Sequence, residues 1–139
     1  MQIRKIPVRQ ILAVGAVLAL FTPWYEYSDG VQAFGIVVAF AAMVSPQFTL
    51  WRLALLAMIG GGLLGALMSL DRPIFAQRWL RWHPWLWLSA AMGTLLWSLA
   101  ALPATRWGAW TATMLFTLNF VYTLVERIVA KPEATIDDD

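Results

Sequence analysis

The sequence predicts an all-α integral membrane protein, a small bundle of five transmembrane helices with a short interfacial helix beside it. Three observations carry this expectation. Of the 139 residues, 60% are hydrophobic and only 13% are charged, with a mean hydropathy of +0.66. A soluble domain of this length cannot hide that much apolar surface, whereas a bilayer accepts it. The apolar residues are also gathered into five runs, separated by breaks that carry proline, charge or tryptophan. Finally, of the nine tryptophans all but Trp97 stand near the ends of these runs, where a half-buried indole finds a partner for its N–H at headgroup level. One membrane domain over residues 1–130 is expected, followed by a disordered acidic tail over 131–139.

The first run, Ile11 to Phe21, follows Arg4, Lys5 and Arg9 and precedes Thr22, Pro23, Trp24 and Tyr25. A basic start, an apolar stretch and small residues around Ala33 resemble a secretory signal peptide, but the polar stretch before that point is long. A retained span over residues 6–25 is expected instead, with Arg9 snorkelling and the aromatics at the far interface. The second span, 29–45, is short and is closed by Ser45, Pro46 and Gln47, with Ser28 or Asp29 capping its start. The third, 49–70, is the clearest: it has one charge, Arg52, near its end, and Gly60, Gly61, Gly62 and Gly65 inside.

Residues 72–82 set Phe75, Trp79 and Trp82 at helical spacing beside Arg72, Arg78 and Arg81, the pattern of a helix lying along the headgroups. The fourth span, 84–102, opens on Pro84, suited to a first helical position, and is followed by Pro103. The fifth, 106–127, is bounded by Trp107 and Trp110 at one end and by Glu126 and Arg127 at the other.

Two topological signals disagree. Five spans divide the ten Lys and Arg evenly between the two sides. If residues 31–44 dip into the membrane without crossing, the division becomes eight against two, as the positive-inside rule requires. Against that alternative, an aliphatic helix left out of hydrocarbon forfeits roughly 25 cal/mol per Å², and re-entrant backbone needs protein around it. Five spans are therefore expected, with four as the alternative.

Three constellations stand out. Ala57, Gly61, Gly65 and Ser69 recur every fourth residue, a small-residue stripe that lets helices pack backbone to backbone. His83, the single histidine, lies beside Trp82 and Trp85 and is a candidate axial ligand for a haem or a magnesium pigment. Asn119, Tyr122 and Thr123 give the fifth helix a polar face able to hydrogen-bond across to a neighbour. The chain has no cysteine, which excludes thiolate metal sites, thiol nucleophiles and disulfide exchange. Its few charges, a formal net +2, lack the basic and aromatic interleaving of a nucleic-acid surface. Every ionisable side chain falls at or near the end of a run, so the mid-membrane acid of an ion-coupled transporter is missing.

No family motif transfers roles onto these residues. The function expected is that of a non-enzymatic accessory or structural subunit of a larger membrane complex, one serving electron transfer or photosynthesis, that packs through its small-residue helix faces in a bacterial cytoplasmic membrane. The alternatives are a binder of lipid, quinone or pigment, with His83, Trp82 and Trp85 at the site, and a small oligomeric channel or transporter lined by the fifth helix.

Overall fold

The computed structural model describes residues 8–44, 49–69 and 81–129. Among them are five helices and one two-stranded sheet: α1 Val8–Ala19, β1 Pro23–Glu26, β2 Gln32–Phe34, α2 Gly35–Val44, α3 Thr49–Met68, α4 His83–Ala100 and α5 Trp107–Val129. α3, α4 and α5 stand over the third, fourth and fifth apolar runs. The expected 72–82 helix, the Ser45 to Gln47 turn and the acidic tail lie outside the described residues, except that Arg81 and Trp82 form a turn before α4.

The first two runs depart from expectation. Residues 6–25 do not form one helix, because α1 stops at Ala19 and Pro23–Glu26 is a strand. Pro23 has no N–H to donate and disfavours helical geometry at Thr22, whose hydroxyl instead donates back to the Ala19 carbonyl at 2.6 Å. Ser28 and Asp29 cap no helix. They belong to the loop of an antiparallel hairpin in which β1 pairs with β2, Gly30 turns the chain at φ +82° and Asp29 Oδ1 accepts from the Val31 amide at 3.2 Å. The fold is thus not purely α. Tyr25 also bridges to Thr105, so the hairpin ties the start of α2 to the connection between α4 and α5.

The helices alternate in direction around two polar ends. Arg9 of α1 donates to the Met68 carbonyl at the end of α3, Ser69 just past α3 meets His83 at the start of α4, and Asn119 in the second half of α5 reaches Leu12 of α1. At the other end the Ile36 amide donates to Leu20 at 2.8 Å, and the Arg106 amide to Trp24 at 2.8 Å. α1 and α3 therefore run antiparallel, and α2 leaves from the end at which α1 finishes. Five alternating crossings would put the start of α1 and the end of α3 on opposite faces of a membrane. The favoured expectation of five spans finds no support in this fold. With 10 residues, α2 is about 15 Å long, roughly half a hydrocarbon core. It buries Val38 and Ala39 against the bundle and leaves Val37, Phe40 and Val44 outward. Among the described residues one helix, Trp107–Val129, is long and apolar enough by itself to span a membrane.

The described helices combine a core rich in small residues with many exposed aliphatic side chains. The interior is built from Ala13, Ala16, Ala90, Ala109 and Ala112 with buried glycines at 61, 65 and 93, while Ile11, Leu18, Leu53, Leu96, Met114 and Ile128 are more than half exposed. Trp24, Leu55, Met58, Trp87 and Phe116 fill the rest of the interior, and the small residues between them bring helix backbones close.

Candidate functional site

The polar end where α1, α3, α4 and α5 meet gathers most of the side chains singled out in the sequence. His83, the first residue of α4, is only 6% exposed. Its Nε2 lies 2.9 Å from the Gly65 carbonyl, 3.1 Å from Ser69 Oγ and 3.1 Å from Trp87 Nε1. One ring nitrogen carries either a proton or a lone pair. Bare, it accepts from the Trp87 N–H while the Ser69 hydroxyl donates to Gly65 at 2.9 Å; protonated, it donates to Gly65 itself. In both forms Nε2 is spent inside the bundle.

The cofactor constellation is therefore not assembled as expected. Trp82 and Trp85 are each 55% exposed, away from the buried imidazole, and a metal at Nε2 would have to displace Gly65, Ser69 and Trp87. The residue missed was Trp87. It is fully buried, four positions after His83, with its indole against Phe116 at a ring separation of 5.9 Å. The i, i+4 spacing that places it on the histidine's face was readable in the sequence.

The small-residue stripe is the α3 side of the α3–α4 contact. A Cβ on Gly61 would come within 2.5 Å of the Leu86 carbonyl and one on Gly65 within 2.8 Å of the Trp87 ring, while Gly93 of α4 would meet the Ala54 carbonyl at 2.6 Å. Ser89 Oγ donates to Leu86 and, at 3.4 Å, to Ala57. These four positions are consumed within the chain. On α5, Asn119 Nδ2 donates to Leu12 at 3.0 Å and to Leu115 at 2.9 Å. Thr123 Oγ1 donates to the Asn119 carbonyl at 2.8 Å. Tyr122 is partly exposed and Thr123 buried, so the expected polar face divides: Asn119 and Thr123 turn inward, Tyr122 to the rim.

Between α1 and α3 lies a groove of about 530 Å³, within the range of small-molecule sites. Ala13, Val14 and Val17 form one wall and Leu63, Ala66 and Leu67 the other, with Gln10 and Ser69 at the polar end. Val14, Leu63 and Leu67 are exposed, so the groove opens sideways rather than into the core. Arg9, the neighbour of Gln10, reaches from α1 to α3 beside that end, its Nη2 on the Met68 carbonyl next to Ser69 and its Nε buried without a partner among the described residues. No signal in the sequence announced a groove, because a cleft between helices depends on how far they splay. Among the described residues no group of three or more His, Cys, Asp or Glu is placed to hold a metal ion.

No protein-family model, no curated protein and no solved structure matches this chain.

Proposed function

We propose that this chain is an integral membrane protein that crosses the bilayer four times and holds an apolar ligand in the groove between α1 and α3. The observation that carries the reading is the groove itself: a sideways-open, apolar cleft of about 530 Å³ on a bundle whose large aliphatic side chains face outward. The crossings in this reading are α1, α3, α4 and α5, with α2 entering from the hairpin end and stopping part-way. Eight of the ten Lys and Arg then belong to the end that holds Arg9, His83 and Arg127, leaving Arg52 and Arg106 for the hairpin end. That bias places the Arg9 end in the cytoplasm.

This reading ranks above an accessory subunit that packs through its small-residue faces, because Ala57, Gly61, Gly65 and Ser69 are already occupied by α4 and His83. It also ranks above a channel lined by α5, because Asn119 is bound to α1.

The test is extraction. Membranes containing the chain are washed with alkaline carbonate, and the protein is purified in mild detergent and its organic extract analysed. Retention in the carbonate pellet with a co-purifying apolar molecule, lost when Ala66→Phe fills the groove, is the expected result. Release by carbonate, or an empty groove in the purified protein, would count against it.

A further inference from the structure

The groove's depth, its polarity gradient and the arginine at its end specify its occupant more narrowly, given the membrane reading above. From Gln10 to Leu18 the α1 wall is about 12 Å long, slightly less than one leaflet's share of a hydrocarbon core of about 30 Å. The groove therefore lies within a single leaflet, the one at the Arg9 end. A rigid ring system is not what such a slot requires; its walls are the aliphatic and alanine side chains of two helices, open along one side to the acyl chains of the bilayer.

At headgroup depth the lining changes to Gln10 and Ser69, and beside them Arg9 spans from α1 to the Met68 carbonyl with its Nε–H buried and unpartnered among the described residues. A buried cationic donor without an acceptor costs free energy, and a phosphate oxygen is the acceptor that guanidinium geometry fits best. Basic sites between membrane helices on the cytoplasmic side select anionic headgroups.

We propose that the α1–α3 groove binds one acyl chain of an anionic phospholipid of the cytoplasmic leaflet, with the phosphate at Arg9. Arg9 then bridges the lipid to the last turn of α3, and Ala66 is small because the chain lies against it.

Native mass spectrometry of the full chain, delipidated and returned to vesicles of equal phosphatidylglycerol and phosphatidylcholine, reads the selectivity. One phosphatidylglycerol adduct is expected, favoured over phosphatidylcholine by about fivefold or more, the worth of one basic residue near an anionic surface. Arg9→Gln brings the ratio close to one, Arg9→Lys keeps most of it, and Ala66→Phe removes both adducts with helicity by circular dichroism unchanged. Should Arg9→Gln fail to fold, the Arg9→Lys and Ala66→Phe variants still decide. Equal uptake of the two lipids by the native chain, or undiminished uptake by Ala66→Phe, overturns the proposal. So does competition by millimolar glycerol phosphate, which would make this a site for a free phosphate. A retained quinone or neutral lipid without charge preference would leave the apolar-ligand reading standing and remove this one; no retained molecule of any kind would remove both.

Discussion

At the scale of single residues, what positions α3 on α4 is the absence of side chains. Gly61 and Gly65 admit the Leu86 carbonyl and the Trp87 ring to distances that any Cβ would violate, and the approach lets His83 reach both Gly65 and Ser69. Gly65→Leu should therefore cost about 1–3 kcal/mol or more through overpacking, whereas Gly60→Leu, with open space at that position, should be tolerated. Thermal denaturation of the two variants in detergent separates them; equal loss of stability would show that the contact is not the cause. His83→Phe keeps the bulk and removes the acceptor of the Trp87 N–H. Its expected cost of about 1–3 kcal/mol is that of one unsatisfied buried donor, and it should move Trp87 fluorescence while a ligand extracted from the groove stays in place. The stripe was legible because its spacing is a property of any helix. The histidine's surroundings were not: neighbours in sequence, Trp82 and Trp85, point elsewhere, and the buried partners come from α3 and from one turn further along α4.

Among the elements, the end of α1 shows most clearly where an apolar pattern alone misleads. Hydropathy carries the first run past Phe21, yet Pro23 and the Asp29-Gly30 pair demand a turn of a different kind, and an Asp-Gly step between apolar stretches is a hairpin signal in its own right. Trp24 then fixes the hairpin to the bundle. It is fully buried, donates from Nε1 to the Ala19 carbonyl at 2.8 Å and lies so close over Gly35 that a Cβ there would collide with the indole. Trp24→Ala should cost about 3–5 kcal/mol and open the 27–31 loop to protease. If cleavage is no faster than in the native chain, Trp24 is not what holds the hairpin. The Glu26–Arg106 ion pair at 2.5 Å is partly exposed at both ends, and such pairs are worth about 0–1 kcal/mol, so Arg106→Gln should alter the same digestion little. The α1–α5 contact rests on Asn119. Interhelical hydrogen bonds in membrane proteins average about 0.6 kcal/mol with a maximum near 1.7, and Asn119→Leu should fall in that range by reversible unfolding in mixed micelles.

For the molecule as a whole, the proposed membrane reading turns on how many times the chain crosses. The charge count and the apolar count gave opposite answers because each treated residues 31–44 as either in lipid or out of it. A half-length helix satisfies both. α2 covers Val38 and Ala39 with protein and presents Phe40 and Val44 outward, and α1 and α3 run antiparallel, which is the arrangement the four-crossing proposal needs. The extents of α3, α4 and α5 follow their own apolar runs and were readable, whereas the ends of α1 and α2, and the absence of a cap at Ser28 or Asp29, were not. The direction of α3 relative to α1 depends on whether ten residues of α2 reach the far side, which composition does not encode. Because the chain has no cysteine, single substitutions report sidedness without a background. Gln2→Cys and Ala134→Cys should be protected together from an impermeant maleimide in intact cells and labelled together once the membrane is opened. Ser28→Cys, in the hairpin loop, should be labelled from the start. A chain crossing five times would instead expose one terminus and protect the other, and that pattern would remove both the four-crossing topology and the assignment of the groove to the cytoplasmic leaflet.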